Sequence, residues 1–133
     1  MSKEEKITVE VDGKTYEASI YADKAPNTCR ALRAQMPIKG EIFHAMWSGW
    51  LGLMLCELKS VPLENPHTYL SAGDLLYHPQ HHEIGICYQA TQFKEPHAAA
   101  FVNLFGRLRG DLTHLVEMGR RLQMTGARPL TFR

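Results

Sequence analysis

The feature that most constrains the fold is a turn signal between two alternating segments near the start of the chain. Residues 7–11 read ITVEV and residues 14–21 read KTYEASIY, so apolar and polar side chains alternate in much of both segments. Alternation with a period of two is typical of a strand with one buried face. Asp12-Gly13 stands between the segments and is a strong signal for a tight hairpin turn. The sequence therefore predicts a β-hairpin over residues 7–21.

Two segments change to the periodicity of an amphipathic helix. Residues 23–36 carry Pro26 near their start and apolar residues at helical spacing. Pro37 predicts the end of this helix, because the residue before a proline avoids helical backbone angles. Residues 111–124 show a second such pattern, with Asp111 as the predicted N-cap.

The remaining segments are predicted to form short strands and loops. Glycines punctuate residues 38–58 and argue against a long helix there, so two short strands around Ser48-Gly49 fit better. Further strands are predicted over residues 73–78, 83–90 and 98–107, a loop over residues 61–71, and an extended tail, interpretable as an edge strand, over residues 127–133. Many short strands with two helices predict a single domain, residues 1–133, that is mainly β: a small closed antiparallel barrel capped by two helices.

Composition excludes several classes of function. Fifteen Lys and Arg residues against 14 Asp and Glu residues give a net charge of +1, and no basic stripe is present, so we expect neither a nucleic acid nor a membrane as partner. The three cysteines are widely spaced without a CxxC pair, which predicts neither a disulfide framework nor a thiolate zinc site. The chain start lacks the apolar stretch of a secretory signal, so we expect a cytoplasmic location.

Histidine is the main chemical signal, because the chain has seven and three of them fall in the segment HPQHHE at residues 78–83. We nevertheless predict no metal and no cofactor. Neighbouring residues of an extended chain point to opposite faces, so His81 and His82 would not share an ion unless the segment turns. His78 and His82 are the weak metal-ligand candidates, and a polar turn is the plainer interpretation of the segment.

The predicted catalytic residues are His44, His82 and Glu83. A histidine at the edge of a pocket can act as a general base near neutral pH, and Glu83 would orient it or serve as a second acid. The alternative interpretation of His44 is a partly buried histidine with satisfied hydrogen bonds.

Aromatic and polar side chains near two predicted turns supply the predicted ligand-binding residues. Two indoles flank a tight turn in the Trp-Ser-Gly-Trp segment at residues 47–50, where they would either stack on a flat ligand or close one end of the barrel. The predicted ligand-binding set is Trp47, Ser48, Trp50, Glu64 and Tyr88. A solvated loop carboxylate is the alternative for Glu64, and a buried, inert thiol is favoured for Cys87.

The order of these elements and several short motifs resemble the cyclophilins. Residues 18–35, ASIYADKAPNTCRALRAQ, are similar to the strand, acidic turn and first helix of that family. Phe43-His44 resembles the start of its Phe-His-Arg strand, and Phe105-Gly106 lies in a segment, residues 102–122, that is similar to a later strand and the second helix. The resemblance covers nearly the whole chain at low identity and implies a cyclophilin-like barrel with a pocket.

The chain departs from the cyclophilin pattern where that family carries out catalysis. Ala45 stands at the position of the catalytic arginine, and a methyl group offers none of the hydrogen-bond donors of a guanidinium. Glu83 corresponds to a family glutamine, and Gly85 stands near a phenylalanine of the proline pocket. The sequence is closer to bacterial cyclophilin-like proteins of unknown function.

We therefore expect an uncharacterised cyclophilin-like protein with a small-molecule pocket at a barrel mouth, which binds its ligand or hydrolyses an amide bond. Two alternatives remain open at this stage. One is prolyl isomerase activity or binding of proline peptides. The other is a non-catalytic interaction module that forms a homo-oligomer through exposed apolar residues of the segment 47–58.

Overall fold

The computed structural model describes residues 4–133, which form short strands and two helices. The helices are α1 (Pro26–Gln35) and α2 (Thr113–Thr125). The strands are β1 (Glu4–Val11), β2 (Lys14–Tyr21), β3 (Ile38–His44), β4 (Leu51–Leu55), β5 (Pro66–His67), β6 (Tyr69–Leu70), β7 (Asp74–His78), β8 (Glu83–Cys87), β9 (Thr91–Gln92), β10 (Lys94–Glu95), β11 (Ala98–Ala99), β12 (Val102–Leu108) and β13 (Arg128–Phe132).

Eight of the strands close into an antiparallel barrel. Their order is β2-β1-β13-β3-β4-β8-β7-β12, and β12 pairs again with β2, which closes the barrel. Strand β5 pairs with the first two residues of β12, while β6 pairs with β9 and β10 pairs with β11. The predicted mainly β barrel with two helices is confirmed.

The opening hairpin is confirmed in its register. Val9 faces Tyr16 across the β1–β2 pair, and Asp12 and Gly13 both have positive φ, at 50° and 79°. A turn with positive φ at both central residues matches the right-handed twist of the flanking strands. The alternation in the sequence thus places one whole face of the hairpin in the core.

The prediction of an edge strand for residues 127–133 is wrong. Strand β13 lies between β1 and β3 and pairs with both, with Leu130 opposite Val11 on one side and Gly40 on the other. Leu130 and Phe132 are buried. Strand β13 is therefore a central strand that the barrel needs in order to close. Short-range sequence patterns do not reveal these pairings.

Other boundaries shift by a few residues. The strand predicted over residues 98–107 is divided into β11 and β12, and the loop predicted over residues 61–71 contains β5 and β6. Asp111 accepts hydrogen bonds from the backbone N–H and the hydroxyl of Thr113, at 2.9 and 2.7 Å, just ahead of α2. Neither helix in residues 4–133 has the length and hydropathy of a membrane-spanning helix.

Alternating residues of four neighbouring strands build two separate apolar clusters. One face of β3, β4, β7 and β8 points into the barrel and contributes to the main core, with Ile42, Met54, Tyr77, Ile84 and Ile86 among its members. The opposite face forms a smaller cluster on the outer wall of the barrel, together with residues of the segments that cross it. The members of this outer cluster are Ala45, Leu51, Leu53, Leu70, Leu76, Cys87, Phe93 and Val102.

The barrel interior is filled where β3, β4 and α2 meet. Tyr88 is completely buried there, and Gly52 and Gly119 allow the backbone to approach its ring. A Cβ atom at Gly52 would overlap the Tyr88 hydroxyl, and one at Gly119 would lie 2.9 Å from the Tyr88 Cβ. Close packing of this kind leaves the outer wall as the place for a cavity.

Candidate functional site

A cavity of about 240 Å³ lies on the outer wall of the barrel, beside the outer cluster. Three stretches of chain surround it: the end of β3 with the loop that follows, the turn between β7 and β8, and the segment that contains β10. The lining residues are Phe43, His44, Ala45, Met46, Trp47, Ser48, Leu53, His81, Glu83, Phe93, Lys94 and Glu95.

One side of the cavity is aromatic and apolar. Trp47 and Phe43 are 51% and 37% exposed, and both lie in the lining. Phe93 is buried in the outer cluster and forms part of the cavity floor together with Leu53. Half-exposed aromatic rings at the rim of a concave surface are typical of a site that takes up a flat, apolar group.

Ser48 connects two walls of the cavity through hydrogen bonds. Its hydroxyl accepts a hydrogen bond from the Lys94 N–H at 2.9 Å and donates to the Lys94 carbonyl at 3.2 Å. The Thr91 hydroxyl donates to the Ser48 carbonyl. Ser48 is only 4% exposed, so its hydroxyl is used to hold the loop after β3 against β10 and is not free to act as a nucleophile.

The opposite side of the cavity is polar and is built on the β7–β8 hairpin. His78, the last residue of β7, faces Glu83, the first residue of β8, across the pair. The turn between them brings the ring of His81 to within 4.5 Å of the His78 ring, measured between centroids. Glu95 reaches this group from β10, with its Oε1 3.2 Å from His78 Nε2. The structure thus collects two imidazoles and two carboxylates at one end of the cavity.

Hydrogen bonds define the protonation pattern of His78. Its Nδ1 accepts a hydrogen bond from the His81 backbone N–H at 3.1 Å, so the ring proton lies on Nε2 and is donated to Glu95. Burial lowers the pKa of His78, the neighbouring His81 lowers it further, and Glu95 opposes both effects. His78 is therefore a neutral donor near pH 7, and it orients the carboxylate of Glu95.

Glu83 is the carboxyl group whose protonation is most affected by this environment. Burial raises its pKa, His81 opposes that shift, and the negative charge of Glu95 reinforces it. A carboxyl group shifted in this direction retains a proton at higher pH than usual and can donate a hydrogen bond to a ligand.

Four of the predicted site residues line the cavity: His44, Trp47, Ser48 and Glu83. His44 lies at the boundary between the cavity and the barrel interior, where its ring stacks on Tyr88 with centroids 6.3 Å apart. Burial lowers the pKa of His44, and its buried Nδ1 has no hydrogen-bond partner in residues 4–133. The catalytic role assigned to His44 stays a prediction.

Three predicted site residues lie elsewhere. His82 is exposed, has a φ of +55°, and directs its Nδ1 toward the Tyr77 hydroxyl at 3.4 Å. Trp50 packs against the main core, and Tyr88 is buried inside the barrel. His81 takes the place in the cavity that the sequence analysis gave to His82, because the segment turns instead of remaining extended.

Glu64 also lies outside the cavity, and its carboxylate caps α1. It accepts hydrogen bonds from the backbone N–H groups of Asn27 and Thr28, at 3.2 and 3.0 Å, and from both of their side chains. The first N–H groups of a helix have no partner within the helix, so a carboxylate from a distant loop satisfies them here. Asn103 completes this junction by accepting the Glu64 backbone N–H at 2.5 Å and donating to the Pro62 carbonyl at 2.9 Å.

Sequence reasoning missed Phe43, Phe93, His81 and Glu95 as cavity residues. The proximity of Phe93 and Glu95 to the β7–β8 hairpin is long-range and leaves no local signal. A signal for His81 was present, because a turn at Pro79-Gln80 would bring His78 and His81 to the same side.

Comparison with known proteins identifies a family and a fold but no activity. A family model described as "Protein of unknown function" (DUF3830) matches residues 7–133. No curated protein matches the sequence.

Two solved structures are similar in fold at low sequence identity. The solution structure of the hypothetical protein AF2241 from Archaeoglobus fulgidus superposes with a TM-score of 0.69 and 18% identity, covering 100% of this chain and 96% of that chain. The structure of McbB in complex with tryptophan superposes with a TM-score of 0.75 and 16% identity, covering 96% of this chain and 44% of that chain. This chain therefore spans less than half the length of McbB.

Proposed function

The chain belongs to DUF3830, a family of proteins of unknown function, and we propose that it binds a small aromatic molecule in the cavity on the outer wall of the barrel. The observation that carries this proposal is the pairing of an aromatic side with a polar end in one concave site. Trp47, Phe43 and Phe93 offer flat apolar contact, while His81, Glu83 and Glu95 offer hydrogen-bonding groups.

The size of the cavity favours a metabolite over a larger ligand. Its volume of about 240 Å³ lies below the roughly 300–1,000 Å³ of pockets that take drug-sized molecules. Because Ser48 holds the loop after β3 to β10 through two hydrogen bonds, the aromatic side is arranged before a ligand arrives. Such preorganisation lowers the entropic cost of binding.

A protein with a similar fold supports an aromatic ligand by analogy. McbB has been solved in complex with tryptophan, a molecule with a flat indole ring and a charged end. At 16% identity this is an argument from fold alone, so the proposal depends on the cavity of this chain.

The closed barrel is compatible with the cyclophilin resemblance of the sequence, but isomerase activity is not what we propose. Ala45 stands in the cavity where cyclophilins have their arginine, and none of the cavity residues is an arginine. The cavity therefore lacks the guanidinium donors that the resemblance associates with prolyl isomerisation.

Titration of isotopically labelled protein with indole, L-tryptophan and L-phenylalanine tests the proposal. We expect saturable NMR shift changes at the backbone amides of residues 43–48 and 93–95. Trp47→Ala removes the largest ring from the rim and is expected to weaken binding about tenfold, or about 1.4 kcal/mol.

Phe101→Ala is the matched control, since Phe101 is 54% exposed and does not line the cavity. This variant is expected to bind the probes as the natural sequence does. Absence of saturable shifts with all three probes, or equal weakening by both substitutions, would contradict the proposal.

A further inference from the structure

We propose that His78, His81 and Glu83 form a binding site for a divalent transition-metal ion at the polar end of the cavity. One potential ligand atom from each of the three side chains lies within 4.8 Å of those of the other two. This inference concerns metal binding alone, so it does not depend on whether an aromatic molecule occupies the rest of the cavity.

The β7–β8 hairpin brings the three residues together. The strand pairing places His78 opposite Glu83, and the intervening turn folds His81 back over His78. His82 follows with a φ of +55° and points to the other side. A His-x-x-His-x-Glu segment thus presents two imidazoles and one carboxylate on one side of a tight hairpin.

The tautomer of His78 is the one that metal binding through Nδ1 requires. Glu95 accepts the Nε2 proton at 3.2 Å, which leaves the Nδ1 lone pair as the donor atom on the side of His81. Histidines that bind metals usually donate their other N–H to a carboxylate or carbonyl group, which fixes the tautomer and the orientation of the ring. Glu95 occupies that supporting position, and His78 itself is only 3% exposed.

Metal binding at His78 would cost one hydrogen bond between the backbone and the imidazole ring. Nδ1 now accepts the His81 backbone N–H at 3.1 Å, and a metal ion would take over that lone pair. His81 is exposed, so water can satisfy the freed N–H. Metal–ligand bonds of about 2 Å need ligand atoms roughly 3.3 Å apart, so the exposed turn also has to contract around the ion.

The ligand set determines which ions fit. Two imidazoles with one carboxylate suit Zn²⁺, Co²⁺ and Fe²⁺, whereas Mg²⁺ and Ca²⁺ prefer all-oxygen ligands. Three protein ligands leave at least one coordination position open, and His81 and Glu83 both line the cavity. The open position would therefore face the space that a small molecule can enter.

Calorimetric titration of tag-free, chelator-treated protein with Zn²⁺ tests the inference, with Co²⁺ absorption as a second measurement. We expect one equivalent of Zn²⁺ to bind, no competition from Mg²⁺, and a visible Co²⁺ spectrum typical of a site with nitrogen ligands. His81→Ala and Glu83→Gln are each expected to weaken binding at least tenfold, and Glu95→Gln, which acts through His78, about 10- to 100-fold.

His82→Ala and His97→Ala are the matched controls, since both histidines are exposed and lie outside the three-residue set. Neither is expected to change the affinity for Zn²⁺. Circular dichroism of each variant separates loss of the site from loss of the fold.

The inference is overturned if Zn²⁺ does not bind, if His81→Ala leaves the affinity unchanged, or if His82→Ala weakens binding as much as His81→Ala does. Repeating the indole titration on chelator-treated protein keeps the two proposals apart. Indole shifts without Zn²⁺ binding would contradict only the metal site, and Zn²⁺ binding without indole shifts would contradict only the proposed function.

Discussion

The two faces of β3, β4, β7 and β8 contrast sharply although they are made from alternate residues of the same segments. The inner face packs Ile42, Met54 and Ile84 into the main core, next to a completely buried Tyr88. The outer face is only partly covered, and the cavity lies where the cover is incomplete.

The difference between the two faces shows which part of this barrel has space for a functional site. The inner face must fill a closed volume, so nearly every position there is apolar and occupied. The outer face is covered by loops, and loops can carry rings and charged groups without disturbing the barrel. The cavity that we propose as a binding site therefore lies on the outer wall, whereas the sequence predicted a site at a barrel mouth.

The largest loss of stability is expected from Gly52→Ala, which tests how tightly the inner face is packed. A Cβ there would overlap the Tyr88 hydroxyl and lie 2.6 Å from Ile42 Cδ1. Because both side chains are fully buried, we expect the free energy of unfolding to fall by about 1–3 kcal/mol in chemical denaturation. Gly40→Ala is the control on the same face, since the three atoms nearest its Cβ all belong to the flexible Met54 side chain, with the Sδ at 2.7 Å. Equal losses in the two variants would show that close contact with the Tyr88 ring does not set the cost of an added Cβ on this face.

A smaller loss of stability is expected from Glu64→Ala, which removes the carboxylate that caps α1 outside the two faces. The substitution leaves the backbone N–H groups of Asn27 and Thr28 without their acceptor. Loss of a helix cap costs about 0.5–2 kcal/mol, and we expect faster hydrogen exchange at the start of α1. Glu41→Ala, an exposed carboxylate with no ion pair in residues 4–133, is expected to change stability by less than about 0.5 kcal/mol. A loss in the control as large as that in Glu64→Ala would refute the capping role.

The smallest difference between the two faces is expected in thiol labelling. This measurement compares how well the main core and the outer cluster exclude water from their cysteines. Burial raises the pKa of Cys29 in the main core and of Cys87 in the outer cluster, in both cases to about 12. Both thiols are therefore protonated and unreactive at pH 8, and only the half-buried Cys56 is expected to react with a disulfide reagent in the native protein. Unfolded protein is expected to expose all three cysteines. Rapid native labelling of Cys87 would mean that the outer cluster admits solvent where the main core does not.

Local patterns predicted the strands and their faces well. The alternation in residues 7–11 predicted a strand with one buried face, and the structure buries Ile7, Val9 and Val11 in the main core. The Asp12-Gly13 turn and both helices are also where the sequence indicates. These features depend on neighbours within a few residues, which is the range over which sequence periodicity carries information.

The sequence predicted the residues of the candidate site less completely than it predicted the strands. Trp47 and Glu83 were identified, but His82 was preferred over His81 because the segment was treated as extended. Glu95 and Phe93 come to the cavity from the segment that contains β10, which is distant in the chain from β3. The sequence predicts Glu64 as a ligand-binding residue, and in the structure its carboxylate lies outside the cavity and caps a helix 36 residues away in sequence, at Thr28.

The sequence by itself determined the barrel strands, both helices and the buried face of the opening hairpin, because these follow from short-range spacing. Only the tertiary structure decided that β13 closes the barrel as a central strand, that Glu64 caps α1, and that His78, His81, Glu83 and Glu95 meet across the cavity from Trp47. The physical reason is that each of these outcomes depends on a long-range pairing or on a turn geometry, and the free energy that selects it comes from closing the whole barrel.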